Sequence, residues 1–219
     1  AGAEGTGQGD GNGLISGYTE DAFSAYEYVI RPGSGESLTF WRDLSNAKLI
    51  KGNFSLATPT WTAFSIPAST INQYLPTSKV SNDSYVYIWS NGRSSAYPNM
   101  SYIGVTRGNY FGIAMVISIF SGSLNSSPKI PVGTAYNIDA KIDDGLPQSG
   151  SVIAVYINST GIQWANGDAD ATTGPPNTGA TPASSTTCYD NGNVAGTQKY
   201  SISQNGGNNR NCALSFKFQ

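Results

Sequence analysis

The chain has 219 residues, of which 38% are hydrophobic and only 12% are charged, so it is long enough to fold around one continuous core. Twelve Lys and Arg residues against 14 Asp and Glu give a net charge of −2, and the basic residues form no cluster in the sequence. This balance argues against a nucleic-acid-binding surface and against an electrostatic membrane anchor, because both need concentrated positive charge.

The sequence contains no histidine. Histidine is the commonest general base and a common ligand of transition metals. Its absence excludes Ser-His and Cys-His nucleophilic mechanisms, and we expect that the chain is not an enzyme.

The two cysteines, Cys188 and Cys212, are the only ones in the chain. Their close spacing predicts one disulfide that closes a loop over 188–212, the alternative being two unpaired buried thiols. A disulfide indicates an oxidising compartment. Because the sequence shows neither a signal peptide nor the stretch of about 20 apolar residues that spans a membrane, we expect an export segment to precede Ala1.

The beginning of the chain is rich in glycine. We interpret residues 1–18 as a glycine-rich N-terminal segment and residues 19–219 as a single globular domain. A first helix is predicted from Glu20 to Tyr28, with Thr19 as its N-cap.

A second helix is predicted between Ser34, a suitable N-cap, and Gly52, a suitable C′ residue. Lys48 and Lys51 would then lie in its last turn and complement the helix dipole. Its apolar side chains share one face, which we expect to cover a sheet: Leu38, Phe40, Trp41, Leu44 and Ala47.

Strand signals dominate from here onward. A strand over Ser84–Ser90 is followed by Asn91-Gly92, which predicts a tight hairpin turn. A short strand is predicted over Tyr102–Val105. The run Tyr110–Phe120 is apolar on both faces, so we expect it to be a central strand beneath the helix.

The second half of the chain continues the α+β pattern, in which helices pack on an antiparallel sheet. The predicted elements, in order, are a helix over Thr134–Ile142, a turn over Asp143–Pro147, a strand over Ser151–Ile157, a low-complexity exposed loop over 165–187, and a last strand over Ala213–Phe218 that Cys212 fastens.

Three segments together resemble the type IV pilin-like and type II secretion pseudopilin family. Phe40–Gly52 runs FWRDLSNAKLIKG and is similar to the family's W-x-x-L-x-x-A-x-L-I-x-G segment. Ala135–Gly150 runs AYNIDAKIDDGLPQSG and is similar to its I-D-x-K-x-D-D-G-x-P-x-x-G run. Cys212–Phe218 runs CALSFKF and, with Cys188, resembles the family's C-terminal disulfide region.

The resemblance implies a pilin-like globular head on the outside of an extracellular bacterial filament, either a type IV pilus or a pseudopilus. Its partners would be identical or related subunits in a helical assembly. It would contact the membrane only through an N-terminal apolar helix preceding this chain. The expected location is the cell surface, reached through the periplasm.

The best candidate for a metal site is the group Asp139, Asp143 and Asp144. Three carboxylates within six positions could bind calcium, which prefers hard oxygen ligands, and the resemblance to pseudopilins favours this hypothesis. The alternative is structural, because Asp-Asp-Gly-x-Pro is good turn chemistry in which carboxylates cap backbone amides.

A free-standing secreted adhesin or carbohydrate-binding module is the main alternative function. Paired carboxylates could also indicate a glycosidase, whose sugar-stacking platform would involve Trp61, Trp89 or Trp164, although tryptophan is more often part of a core or an interface. The chain also contains five Asn-x-Ser/Thr sequons, which in so Asn-, Ser- and Thr-rich a sequence indicate no function by themselves: Asn53, Asn82, Asn99, Asn125 and Asn158.

Overall fold

The computed structural model describes residues 13–15, 17, 31–58, 65–91, 105–159, 161–165, 183–189 and 198–219. These residues form an α+β architecture with helices α1 (Gly35–Asn46) and α2 (Val132–Ile142). The strands are β1 (Ser65–Pro67), β2 (Ser84–Asn91), β3 (Gly108–Phe120), β4 (Ser123–Ser127), β5 (Val152–Ile153), β6 (Val155–Asn158), β7 (Gly161–Trp164) and β8 (Leu214–Lys217).

Some predictions fall outside the described residues. These are the helix over Glu20–Tyr28, the short strand over Tyr102–Val105 except for its last residue, and residues 166–182 of the low-complexity loop. Within the described part of the chain, no helix is long and apolar enough to cross a membrane.

The long strand β3 is the centre of a six-stranded antiparallel sheet, as its apolar sequence predicts. Met115 of β3 is opposite both Ser84 of β2 and Ser127 of β4, so β2 and β4 lie on opposite sides of β3. Strand β1 pairs with β3 on the same side as β2, and β8 pairs with β3 on the same side as β4. Strand β5 then pairs with β8 at the sheet edge.

Helix α1 covers one face of this sheet. The ring centroids of Phe40 and Trp41 lie 6.2 and 6.0 Å from that of Phe111 on β3. Leu38 and Trp41 are buried, so the predicted packing of the helix on the sheet is confirmed. Ala47, which we placed on the same face, is exposed at the end of the helix.

The antiparallel hairpin β6–β7 covers the opposite face. Successive strand residues point to opposite faces, so Gly112 faces away from α1. The ring of Tyr87 lies over Gly112, where a Cβ atom would approach it to 2.3 Å. The Tyr87 hydroxyl accepts a hydrogen bond from the Ile157 amide at 3.0 Å, which fastens β6 to the sheet.

The predicted end of α1 is wrong. The helix ends at Asn46, and Lys48 takes a left-handed conformation with φ of 59°. The Lys48 amide donates to the Ser45 carbonyl and the Leu49 amide to the Leu44 carbonyl, both at 3.0 Å, which is a Schellman motif. The position usually given to glycine is thus filled by Lys48, and Gly52 belongs to the following loop.

The predicted tight turn at Asn91-Gly92 is also wrong. Asn91 is the last residue of β2 and pairs with Gly108, so residues 92–107 separate the two paired strands. Its buried side chain donates to the carbonyl of Val105. Asn91 therefore holds the returning chain beside the strand instead of reversing its direction.

The strand predicted over Ser151–Ile157 is two strands in two sheets. Val152–Ile153 pairs with β8, whereas Val155–Asn158 pairs with β7. Between them, the Ala154 amide donates to Pro147 at 2.7 Å, and its carbonyl accepts from Ala165 at 2.9 Å. The chain crosses from one layer to the other at this residue.

The predicted disulfide is confirmed, with the Cα atoms of Cys188 and Cys212 4.7 Å apart. Both cysteines are fully buried. Cys212 also pairs through its backbone with Ile130, just before α2, and lies two residues before the start of β8. The last strand is confirmed, and the disulfide fixes its beginning.

Candidate functional site

The three candidate aspartates lie together where α2 ends. Asp139 is in the last turn of the helix, and Asp143 and Asp144 follow its final residue. One oxygen of each carboxylate lies within 4.8 Å of the others. We call this group, with residues 145–150, the aspartate turn.

Asp139 is fully buried and has two protein donors. Its Oδ1 accepts a hydrogen bond from the Gly145 amide at 3.1 Å, and its Oδ2 accepts one from the Tyr200 hydroxyl at 2.7 Å. Burial raises the pKa of Tyr200 well above 10, so this hydroxyl keeps its proton and can donate it. Asp139 thus joins α2 to the disulfide loop over 188–212.

Asp143 fixes the beginning of β5. Its Oδ2 accepts hydrogen bonds from the amides of Ser151 and Val152, the second at 3.0 Å. Gly150 allows this approach because it adopts φ of 77°, and a Cβ atom there would lie 1.8 Å from Asp143 Oδ2. The glycine is therefore required both by its backbone conformation and by the carboxylate beside it.

Asp144 is exposed, and its carboxylate accepts hydrogen bonds from other residues of the same turn. Its Oδ1 accepts from the Leu146 amide at 2.8 Å, which is an Asx turn, and its Oδ2 accepts from the Ser149 hydroxyl at 2.6 Å. The segment between α2 and β5 is therefore organised by carboxylates that accept from nearby amides and hydroxyls.

This geometry agrees with the structural alternative, in which the carboxylates cap backbone amides. Each of the three aspartates already accepts two hydrogen bonds from the protein. Calcium takes six to eight oxygen ligands, and the cluster brings together three carboxylates. Calcium binding by Asp139, Asp143 and Asp144 stays a prediction.

Burial raises the pKa of Asp139 from 3.8 to about 6, and the negative charges of Asp144 and Asp143 act in the same direction. The hydrogen bonds from Tyr200 and Gly145 oppose this shift without cancelling it. A carboxyl whose pKa is higher in the folded than in the unfolded chain favours folding when it is protonated. Its contribution is complete below about pH 4 and disappears as the pH rises through about 6.

We therefore expect Asp139→Asn to remove part of the pH dependence of stability. In the wild-type chain, ionisation of Asp139 should lower the melting temperature as the pH rises from 4 to 7. Asparagine cannot ionise, yet it can accept from Gly145 and donate to the Tyr200 hydroxyl. The difference in melting temperature between variant and wild type should thus shift in favour of the variant across this range, measured by calorimetry in buffers of constant ionic strength.

Asp43→Asn is the matched control, because it removes a carboxylate that is 54% exposed and bonded to Arg42 on the surface of α1. A difference between Asp139→Asn and wild type that stays constant from pH 4 to 7 would contradict the raised pKa.

Sequence reasoning missed the groups that hold the aspartate turn from outside. Tyr200 lies 61 positions from Asp139, and Tyr189, which accepts from Gln148 Nε2 at 3.2 Å, pairs with Tyr200 across the disulfide loop. The rings of Tyr200 and of Tyr136 on α2 meet edge to face, with their centroids 6.1 Å apart. The only signal in the sequence was that Tyr189 and Tyr200 lie within the predicted disulfide loop, and nothing local connects either of them with α2.

The tryptophans considered for a sugar platform do not form one in the described part of the chain. Trp89 and Trp164 are 0% and 1% exposed, so both belong to the core. Trp61 lies outside the described residues.

The chain matches no protein-family model, no curated protein and no solved structure.

Proposed function

We propose that the chain is the outer globular domain of a structural subunit of an extracellular bacterial filament of the type IV pilin class. The filament would be either a type IV pilus or a type II secretion pseudopilus. An apolar helix encoded upstream of Ala1 would form the filament core, and this domain would coat the outside, in contact with identical or related subunits.

The observation that carries this proposal is that strands β3 and β5 connect the three pilin-like segments through direct contacts. Trp41 packs against Phe111, and Phe111 is the cross-strand partner of Phe216 on β8. Phe216 in turn is opposite Val152 of β5, whose amide donates to Asp143. The tryptophan helix, the last strand and the aspartate turn are therefore parts of one packed unit.

The surface composition also supports the proposal. Only 12% of residues are charged, so Ser, Thr, Asn, Gln and Gly supply most of the polar surface. Uncharged hydroxyls and amides allow close lateral contact between copies without like-charge repulsion. In a helical filament such contacts are heterologous and do not close into a ring.

The test is the assembly of the complete gene product with its native secretion machinery. We expect the codons before Ala1 to encode an apolar helix of about 20 residues behind a short basic leader. Filaments sheared from these cells should bind antibodies raised against the domain in immunogold electron microscopy. Long filaments would indicate a pilus, and short ones together with a defect in protein export on gene deletion would indicate a pseudopilus.

The matched control carries the same domain behind an ordinary cleavable signal peptide. It should be exported, form its disulfide and remain monomeric in the medium. If the natural upstream codons themselves encode such a signal peptide, and the natural product is a monomer in the medium, the filament proposal is wrong and a secreted binding module becomes the better interpretation.

A further inference from the structure

The five sequons cannot be ranked from the sequence, but the structure shows which of the described ones expose both the asparagine and the hydroxyl residue. A transferase that modifies a folded protein needs both the asparagine amide and the hydroxyl two residues later at the surface. In Asn53-Phe54-Ser55, which follows α1, both Asn53 and Ser55 are exposed, while Phe54 is buried and anchors the segment.

The backbone of this sequon is also preorganised. Asn53 Oδ1 accepts a hydrogen bond from the Ser55 amide at 3.1 Å, which is an Asx turn. The turn brings the carboxamide of Asn53 over the residue that carries the sequon hydroxyl. The loop on either side is held by the hydrogen bond from Ser45 Oγ to the Gly52 carbonyl at 2.6 Å and by that from the Ala57 amide to Phe54 at 3.1 Å.

The other described sequons lack this combination. Asn82 is exposed, but its partner Ser84 is fully buried in β2. Asn125 lies within β4 and pairs with Ser118. Asn158 is the last residue of β6, its carboxamide oxygen accepts from the Ser126 amide of β4 at 3.1 Å instead of from its own sequon, and Thr160 lies outside the described residues. Asn99 lies outside the described residues.

The segment around Asn53 carries two of the most exposed large apolar side chains in the described chain. Leu49 is 71% exposed and Leu56 is 47% exposed. A bulky hydrated group on Asn53 would shield apolar side chains of this segment from contact with other proteins.

We propose that Asn53 is an N-glycosylation site that accepts an oligosaccharide from a lipid diphosphate carrier after the domain has folded. The Asn53 Nδ2 atom attacks C1 of the first sugar and forms the N–C bond. The bond between C1 and the diphosphate oxygen breaks, and the lipid diphosphate leaves. The proton lost from Nδ2 passes to a base of the transferase. This inference depends on export, which the disulfide favours, and not on filament assembly.

Trypsin separates every sequon into its own peptide, so that modification of each asparagine can be measured independently. Cleavage after Lys51 and Lys79 releases residues 52–79, in which Asn53 is the only sequon. Asn82, Asn99, Asn125 and Asn158 fall in four further peptides: 80–93, 94–107, 108–129 and 142–199. The probe is mass spectrometry of the natural full-length chain purified from the cells that produce it.

We expect peptide 52–79 to carry a mass increase of whole sugar units. Peptide N-glycosidase in ¹⁸O-water should remove the glycan and convert the Asn53 side chain to an aspartate carboxylate that contains the heavy isotope. Asn53→Gln and Ser55→Ala should both abolish the modification, Ser55→Thr should retain it, and Asn82→Gln should leave it unchanged. An unmodified peptide 52–79 from the natural chain, or a glycan that persists in Asn53→Gln, would overturn the proposal.

Discussion

Replacement of Trp89 by alanine is expected to lower the free energy of unfolding by about 3–5 kcal/mol, because a large buried side chain leaves a cavity that its neighbours fill only in part. The indole is fully buried, stacks on Tyr110 at 4.5 Å between centroids, and donates from Nε1 to Ser215 Oγ at 3.1 Å. For a domain of this size, the melting temperature should fall by about 6–20 °C, measured by calorimetry or circular dichroism.

Two controls separate the sources of this loss. Trp89→Phe keeps most of the ring volume and removes the indole N–H, so it should cost less than the alanine variant. Phe120→Ala truncates an aromatic residue of the neighbouring strand β3 that is 57% exposed, and should change stability by at most about 0.5–1 kcal/mol. Similar losses in Trp89→Ala and Phe120→Ala would contradict the position of Trp89 in the core.

The sheet and its covering helix were predictable because their signals are local and repeat along the chain. Tyr110–Phe120 is apolar on both faces, and the structure buries most of it, with α1 packed on one face at Phe111 and the β6–β7 hairpin on the other, while Ile117 and Phe120 at its far end are exposed. Leu38 and Trp41 recur at helical spacing and are both buried. Such patterns depend only on neighbours within a few positions.

The crossing at Ala154 could not be predicted for the same reason. Every residue from Val152 to Ile157 is buried, so the run shows no change of pattern where it passes from one sheet to the other. What divides it is a pair of backbone hydrogen bonds, from the Ala154 amide to Pro147 and from the Ala165 amide to Ala154. Backbone partners of this kind leave no trace in side-chain hydrophobicity.

The aspartate turn was predictable in its local half only. The bond from the Leu146 amide to Asp144 spans two positions, and Asp-Asp-Gly-x-Pro indicates such a turn directly. The bond from Tyr200 to Asp139 spans 61 positions and exists because the disulfide loop folds back over α2. The three carboxylates could be found in the sequence. The Tyr200 hydroxyl that donates to Asp139 could not, because only the tertiary fold brings it there.

The disulfide is the second position at which we expect a large effect on stability, because it closes the loop that brings Tyr200 to α2. Replacing Cys188 by alanine should lower the free energy of unfolding by about 2–5 kcal/mol, since the bridge restricts the unfolded chain. It joins two backbone sites that are already held, because the Cys188 carbonyl accepts from Ser201 at 2.9 Å and Cys212 pairs with Ile130. The melting temperature should fall by about 4–20 °C.

Cys212→Ala and the double alanine variant are the matched controls. Each single variant removes the same bond, so the double variant should lose little beyond either one, which is the non-additivity expected of a coupled pair. A reductant should bring the unfolding transition of the wild-type chain towards that of the variants and leave the double variant unchanged. If Cys188→Ala melts at the wild-type temperature, the bridge does not stabilise the fold, and the pairing of β8 with β3 and β5 together with the bonds of Ser215 is enough to hold this strand.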